Sequence, residues 1–327
     1  MRVGNLGEFR LIDRIVGRLP QSDTVLLGPG DDGAIVGAPD QRVVVTTDLL
    51  LEGRHFRRDW SSAYEIGRKA AAQNLADVAA MGARPTALFL GLGLPAETEV
   101  EWVDDLADGL RDECDLVGAS VAGGDIARCD MVLLGVTALG DLEGRPAVTR
   151  AGARPGQVVA VAGRLGWAAA GLALLEAGVN IGVPESGPEG LRQAAEQVIA
   201  AHRRPRPPYP SGPEAARLGA TAMLDVSDGL LQDLGHIASA SGVQIDLDPA
   251  GFHLPEALTL VADTLGADPL DWVLTGGDDH ALAAVFPENI ELPENWTPVG
   301  KIAAGEGVHV AGRDYNMSGW NHFPGKL

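Results

Sequence analysis

The sequence contains little lysine: among its 327 residues only Lys69, Lys301 and Lys326 are lysines. A phosphate-binding loop of the form GxxxxGK[ST] needs a lysine, and no such segment is present. No GxGxxG segment follows a predicted strand either. The sequence therefore lacks the two common nucleotide-binding signatures.

Cysteines and long apolar runs are also scarce. Cys114 and Cys129 are the two cysteines, and neither belongs to a CxxC pair, so we expect neither a structural zinc site nor a disulfide. Cys114 is predicted to pack on a helix. No uncharged apolar run reaches the roughly 18 residues of a membrane-spanning helix, and residues 1–10 have no apolar signal core. We expect a cytoplasmic protein without a membrane partner.

The net charge of −20 argues against nucleic acid as a partner, because nucleic-acid binding needs a basic surface. It is compatible with ATP when divalent cations lie between the phosphates and the protein. Apolar residues make up 46% of the chain, enough for a substantial core. The length suits two domains, which we place at residues 1–147 and 148–327.

Hydrophobic periodicity predicts helices and strands in both halves, and the fold class is therefore α+β or α/β. The predicted helices cover residues 7–19, 61–81, 97–117, 228–241 and 254–265. The predicted strands cover residues 25–27, 42–47, 86–94, 131–139, 157–162, 281–286 and 297–302. A segment rich in proline and arginine, residues 202–213, interrupts the second half.

Six segments combine aspartate with glycine, hydroxyl or small residues. They are Gly30-Asp31-Asp32-Gly33, Thr46-Thr47-Asp48, Asn74-Leu75-Ala76-Asp77, Gly123-Gly124-Asp125, Asp225-Val226-Ser227-Asp228-Gly229 and Gly276-Gly277-Asp278-Asp279-His280. Turns or helix caps alone would account for most of them. Asp48 would end an apolar strand, and Ser227 or Asp228 would cap the next helix. Together the segments indicate a magnesium site, because Mg²⁺ prefers a few carboxylates with water and phosphate oxygens.

The order and spacing of these segments resemble the thiamine-monophosphate kinase family of the aminoimidazole-ribonucleotide synthetase-like superfamily, nearly from end to end. Further matching segments are Gly7-Glu8-Phe9, Glu52-Gly53-x-His55-Phe56, Thr149-Arg150-x-Gly152, His202-x-Arg204-Pro205 and Gly319-Trp320-x-His322-Phe323. The match as a whole is far more specific than any one segment.

The resemblance implies a homodimer in which the sheets of N-terminal α+β domains pair into a barrel. That domain would bind ATP and magnesium, and a C-terminal α/β domain would close the cleft. The implied reaction is ATP-dependent phosphorylation of thiamine monophosphate, the last step in making thiamine diphosphate. Several Mg²⁺ ions would act as cofactors, and the resemblance leaves a requirement for a monovalent cation open.

The resemblance also implies roles for particular residues. The implied magnesium ligands are Asp32, Thr46, Thr47, Asp48, Asp77, Asp125, Asp225 and Asp228. The implied ATP contacts are Gly124, Asp125, Arg150 and Ser227. The implied contacts to thiamine monophosphate are His55, Asp278 and Trp320. We expect no catalytic base, since the acceptor phosphate is already mostly a dianion at neutral pH.

Two positions depart from the family pattern. Ala76 stands where the family usually has serine, and Asp278-Asp279-His280 stands where it usually has Glu followed by Asp-Tyr. The second departure bears on the choice of acceptor. The alternatives within the superfamily are amide activation and selenophosphate synthesis, and the latter usually uses a reactive cysteine or selenocysteine that this N-terminus lacks. A metal-binding protein without catalysis is the alternative of another class.

Overall fold

The computed structural model describes residues 1–6, 8–29, 33–178, 190–313 and 315. The chain divides into two compact units. The first unit comprises Met1–Ala79 and Ala83–Pro146, and the second comprises Ala80–Gly82 and Ala147–Leu327. The roles that the resemblance assigns to the two domains stay predictions.

A four-stranded mixed sheet forms the centre of the first unit. Its helices are α1 (Val3–Leu6), α2 (Glu8–Val16), α3 (Ala63–Ala80) and α4 (Val100–Asp115). Its strands are β1 (Val25–Leu27), β2 (Ile35–Val36), β3 (Val44–Leu51), β4 (Arg84–Leu94), β5 (Ser120–Arg128) and β6 (Leu133–Asp141). The sheet has the order β3-β6-β4-β5, in which only the β4/β5 pair is parallel. Strands β1 and β2 pair separately.

Helix α3 begins with a capping box. The backbone N–H of Ser62 donates to Glu65 Oε2 at 2.9 Å, and the N–H of Glu65 donates to Ser62 Oγ at 3.3 Å. These two bonds satisfy donors that the first turn leaves open. The neighbouring Ser61 is buried and is not part of this pair.

Helices α3 and α4 approach each other at two glycines. A Cβ atom at Gly67 would overlap the carbonyl oxygen of Leu106, and one at Gly109 would overlap the carbonyl oxygen of Tyr64. The two backbones are therefore in direct contact at this crossing. Cys114 is buried in the last turn of α4, as expected, and burial raises the pKa of its thiol.

A six-stranded sheet forms the centre of the second unit. Its strands are β7 (Val158–Ala162), β8 (Ala222–Val226), β9 (Gln244–Leu247), β10 (Ala281–Phe286), β11 (Trp296–Ala303) and β12 (Gly307–Val310). Its helices are α5 (Trp167–Glu176), α6 (Leu191–Arg203), α7 (Ser211–Leu218), α8 (Leu230–Ser241), α9 (Glu256–Leu265) and α10 (Pro269–Thr275), and a 3₁₀ turn covers Pro249–Gly251. The order is β12-β9-β11-β7-β10-β8, and only β12/β9 is parallel.

Three loops of the second unit lie side by side at one end of this sheet. Strand β10 runs antiparallel to both neighbours, with Leu282 opposite Ala162 of β7 and Ala281 opposite Val226 of β8. The loop before β10 therefore lies beside the loops that follow β7 and β8. All six residues of β10 and all five of β8 are buried. The strands that carry these loops therefore lie in the core of the unit.

The mixed α and β composition of both units confirms the expected fold class, and one local prediction is wrong. Asp48 does not end its strand, because β3 pairs with β6 without interruption from Val44 to Leu51. The segment with Gly123 and Gly124, for which a turn is the alternative explanation, lies inside β5. Within the described ranges, no helix combines the length and apolar composition that crossing a membrane requires. Both cysteines are free thiols.

The glycine crossing of α3 and α4 can be tested by Gly109→Ala. The added methyl group forces the two helices apart, and we expect a loss of about 1–3 kcal/mol in the free energy of unfolding, measured in urea. Gly37→Ala is the control, because its Cβ would meet Thr24 O at an ordinary 3.6 Å. Equal stability of the two variants would contradict the close approach.

Candidate functional site

Strand β3 and helix α3 hold two carboxylates side by side. Thr46 Oγ1 donates to Asp77 Oδ2 at 2.7 Å, and Gln73 Nε2 donates to Asp48 Oδ2 at 3.0 Å. Residues two apart on a strand share a face, and residues four apart on a helix do the same. The two hydrogen bonds therefore join one face of β3 to one face of α3, and both carboxylates are half-buried.

The oxygen atoms of these carboxylates suit a divalent cation with its water or phosphate ligands. Thr46 and Asp48 are about 6.6 Å apart along the strand, and Gln73 and Asp77 are about 6 Å apart along the helix. The donors are oxygen atoms throughout, and Mg²⁺ in proteins is commonly held by one or two carboxylates plus water and phosphate. The residues present therefore fit magnesium.

Thr47 lies on the opposite face of β3. Its hydroxyl donates to the carbonyl oxygen of Val136 and accepts from Thr137 Oγ1, both at 3.0 Å. The same face carries Val45 and Leu49, which are 57% and 56% exposed. The side chain of Thr47 is thus turned away from the pair formed by Asp48 and Asp77.

Asp125 is exposed on β5, at the other edge of the sheet from β3. Three strand spacings separate the two edges, which corresponds to about 14 Å. One metal ion within a single chain therefore cannot bind both Asp48 and Asp125. Gly124 allows β5 to lie against β4, because a Cβ atom there would overlap the carbonyl oxygen of Leu90.

The described residues contain no group of three His, Cys, Asp or Glu side chains close enough to hold one metal ion. Asp32, one of the predicted ligands, lies outside the described residues, as does Trp320. The eight predicted magnesium ligands stay a prediction as a set.

His55 follows β3 in a turn that returns to the strand. The N–H of Leu51 donates to His55 Nδ1 at 3.0 Å. Since Nδ1 accepts a hydrogen bond, the proton of a neutral imidazole must be on Nε2. In the neutral form of this half-buried ring, Nε2 is therefore the donor.

In the second unit, Asp225 lies in β8 and contacts the loop before β10. Its Oδ2 is 3.0 Å from His280 Nδ1, and both residues are buried. His280 is one of the positions that depart from the family pattern. The imidazole therefore fixes the orientation of a carboxylate that the sequence assigns to magnesium.

The loop between β8 and α8 is held by one carboxylate oxygen. Asp233 Oδ2 accepts from the backbone N–H groups of Ser227, Asp228 and Gly229, at 3.0, 3.0 and 3.1 Å. Burial raises the pKa of Asp233 to about 7, the charge of Asp225 acts in the same direction, and the bonds from Asp228 and Gly229 oppose it. Gly229 is the N-cap of α8 without a side-chain cap, so the prediction that Ser227 or Asp228 caps this helix is wrong.

The loop before β10 lies directly on the loop after β8. The N–H of Asp278 donates to Ser227 O at 2.9 Å, and a Cβ atom at Gly277 would overlap the same oxygen. Asp278 and His280 have φ values of 67° and 52°, which are rare for residues other than glycine and are concentrated at functional sites. Only glycine at 277 allows this contact.

Asp279 joins the loop before β10 to the first turn of α5. Its Oδ1 accepts from the N–H of Ala168 at 3.0 Å. The carboxyl group is buried, which raises its pKa to about 7 against the effect of this bond. The three consecutive residues 278–280 therefore have three different contacts, and each one fixes the loop.

The other predicted contacts lie near these loops or on the surface. Ser227 and Asp228 are half-buried in the loop after β8, and Gln232 Nε2 donates to Asp228 Oδ2 at 3.3 Å. Arg150 is exposed, and its carbonyl oxygen accepts from Ser241 Oγ at 3.2 Å.

Sequence reasoning missed Gln73, Asp233 and His280. Gln73 lies one turn before Asp77, and this spacing was an available signal. Asp233 lies in the first turn of α8, where acidic residues are common for the helix dipole alone. His280 stands out in the sequence as a departure from the family pattern, but its contact with Asp225 was not predictable because it depends on the pairing of β8 with β10.

Comparisons with known proteins agree with this architecture. Residues 30–142 match the family described as AIR synthase related protein, N-terminal domain. The thiamine-monophosphate kinase of Mycobacterium tuberculosis is 48% identical over 321 residues, which cover 97% of this chain and 92% of that protein.

Two solved structures are similar throughout. The crystal structure of thiamine-monophosphate kinase from Stenotrophomonas maltophilia K279a has 38% identity and a TM-score of 0.79, and covers 94% of this chain and 97% of its own. The structure of AaThiL complexed with AMPPCP and TMP has 32% identity and a TM-score of 0.79, and covers 99% of both chains. The chain therefore belongs to the thiamine-monophosphate kinase family, within the AIR synthase related proteins.

Proposed function

We propose that this protein transfers the γ-phosphoryl group of ATP to the phosphate of thiamine monophosphate and forms thiamine diphosphate and ADP. The observation that carries the proposal is the likeness, over 99% of both chains, to AaThiL complexed with AMPPCP, an ATP analogue, and TMP. The 48% identity to the M. tuberculosis kinase supports the same reaction.

The acceptor explains why the site needs no strong base. A phosphate monoester has a second pKa near 6 and is mostly a dianion at neutral pH. The difficulty is the repulsion between this dianion and ATP, and bound Mg²⁺ supplies charge neutralisation and alignment for in-line transfer. The proposed transfer is direct, without a phosphoenzyme.

The carboxylates on β3 and α3 are proposed to hold magnesium with the phosphates. Thr46 and Gln73 orient Asp77 and Asp48 through hydrogen bonds from neutral donors. Asp225 and Asp228 are proposed to do the same in the second unit, where His280 and Gln232 orient them. Asp32, Thr47 and Asp125 are also proposed as ligands. Thr47 and Asp125 would bind an ion other than the one at Asp48 and Asp77, because Thr47 faces away from that pair and Asp125 lies at the other edge of the sheet.

Other residues are proposed to bind the two substrates. Gly124, Asp125, Arg150 and Ser227 would contact ATP, and His55, Asp278 and Trp320 would contact thiamine monophosphate. The donor at His55 Nε2 and the strained, fixed backbone at Asp278 support their parts of this assignment. ATP is a cytosolic metabolite, and we propose a cytoplasmic location.

We also propose that the protein is a homodimer paired through β3. This strand lies at an edge of its sheet, and one face exposes Val45 and Leu49. Leu26 and Ile35 are also exposed, to 69% and 54%, but they belong to the β1/β2 pair, which contacts β5 at the other edge of the sheet. An exposed apolar patch next to a free strand edge favours association with a second copy.

The kinase activity can be tested by incubating the protein with magnesium, ATP and thiamine monophosphate and measuring thiamine diphosphate by chromatography. We expect product that disappears with EDTA. Asp48→Asn and Asp77→Asn should each lower kcat at least about 100-fold, because even partners of metal ligands cost 10- to 100-fold. The exposed Asp105→Asn is the control. Near-normal turnover in both site variants would contradict the metal assignment.

The role of Asp233 can be tested by comparing Asp233→Ala with Asp233→Asn. Alanine leaves three N–H groups without their acceptor, so we expect a loss of about 1–3 kcal/mol in unfolding free energy and a raised KM for MgATP. Asparagine retains an acceptor oxygen and should restore both quantities in part. Asp263→Ala, at an exposed position of α9, is the control. An alanine variant with the KM of the unaltered protein would refute a role for Asp233 in positioning the loop.

The proposed dimer can be tested by Leu49→Glu. The substitution places a negative charge in the apolar contact of each chain. We therefore expect monomers, measured by light scattering after gel filtration. Leu116→Glu is the control, because Leu116 is 63% exposed at the end of α4. A monomeric unaltered protein, or a dimeric Leu49→Glu variant, would rule out this interface.

A further inference from the structure

The second unit contains a cavity rich in arginine that the proposed function does not use. Its volume is about 470 Å³, and it lies between the loop after β7, helix α6 and the start of the segment 202–213. Arg164, Trp167, Gln193, Gln197, Arg204 and Arg206 line it. The loop after β7 lies at the same end of the sheet as the loop after β8, which carries Asp228, and the loop before β10, which carries Asp278.

Two of these arginines, Arg164 and Arg206, form no ion pair in the part of the chain that the structure describes, although the charge of Asp279 acts on Arg164. This is unusual in a chain with 45 acidic and 25 basic residues. Glu196 also lines the cavity, but its Oε1 is 3.2 Å from Arg192 Nε. The cavity therefore retains positive charge.

The guanidinium of Arg164 is held in place. Its Cζ lies over the ring of Trp167, 5.0 Å from the centroid. Burial lowers the pKa of Arg164, the charge of Asp279 opposes this shift, and the charge of Arg206 adds to it. Arg164 and Arg206 are therefore close enough to repel each other, and an anion between them would relieve that repulsion.

The backbone that carries Arg206 is also restricted. Pro205 and Pro207 flank it, and both are buried while Arg206 is exposed. Each proline fixes its own φ, so little backbone freedom is lost when a ligand binds. The segment rich in proline and arginine thus presents its guanidinium from a rigid support.

We propose that Arg164, Arg204 and Arg206 form an anion site that binds a phosphate group. The planar guanidinium fork matches phosphate oxygens with paired hydrogen bonds. Gln193 and Gln197, one turn apart on α6, add neutral amide donors on the same side. The bound phosphate is either that of thiamine monophosphate or a free phosphate ion, because both offer the same oxygen atoms to the guanidinium groups.

The test is calorimetric titration of the full-length protein with inorganic phosphate in EDTA, which keeps metal-dependent binding out. We expect saturable binding that weakens at least about tenfold in Arg206→Gln, since a charge-assisted contact is lost. The double variant Arg164→Gln/Arg206→Gln should show no binding. Arg217→Gln is the control, an exposed arginine of α7 outside the cavity.

Absence of saturable binding to the unaltered protein would overturn the proposal, and so would equal affinity in Arg206→Gln. Arg206 is exposed, so its single substitution keeps the test valid even where the double variant fails to fold. The titration needs no turnover, and its outcome is therefore independent of the proposed kinase activity.

Repeating the titration with saturating thiamine monophosphate identifies the source of the phosphate. The site belongs to the acceptor if two results are obtained. Saturating thiamine monophosphate must abolish the binding of inorganic phosphate, and Arg206→Gln must raise the KM for thiamine monophosphate but not for ATP. Persistent binding of inorganic phosphate assigns the site to a free ion.

Discussion

The loop after β8 depends on a single carboxylate oxygen. Asp233 Oδ2 accepts three successive backbone N–H groups, and this fixes the path of the chain between a buried strand and helix α8. The loop before β10 then rests on it through hydrogen bonds from Asp278 to Ser227 and from His280 to Val226. Two loops that are distant in sequence thus become one rigid surface with several acidic groups.

Three acidic groups are oriented by neutral side chains. Asp48, Asp77 and Asp228 each accept a hydrogen bond from an amide or a hydroxyl group. Each bond fixes the direction of one carboxylate oxygen, because a hydrogen bond requires a particular geometry. The orientation of these carboxylates is therefore set by the fold itself.

Much of this architecture follows from local sequence patterns. The alanine-rich helix α3 and its Ser62–Glu65 cap were predictable because the signals lie within a few residues of each other. Strand β5 was not predicted, and the prediction that Asp48 ends its strand was wrong. In both places strand pairing continues through residues that otherwise favour turns or strand ends.

The contacts made by Asp233 and His280 needed tertiary information. Asp233 lies in helix α8 and accepts hydrogen bonds from the loop that precedes the helix. The sequence rules for helix caps consider only residues of the loop itself. His280 reaches Asp225 only because β8 and β10 are neighbours. The family resemblance identified the segments, but it did not contain the hydrogen bonds that connect them.

Strand β3 carries two sets of side chains with opposite requirements. Thr46 and Asp48 face helix α3, and Val45, Thr47 and Leu49 face away from it. Because side chains alternate along a strand, inserting or deleting one residue would exchange the two sets at once. An insertion or deletion in β3 would therefore disrupt the carboxylate site and the exposed apolar face together, even where individual substitutions are tolerated.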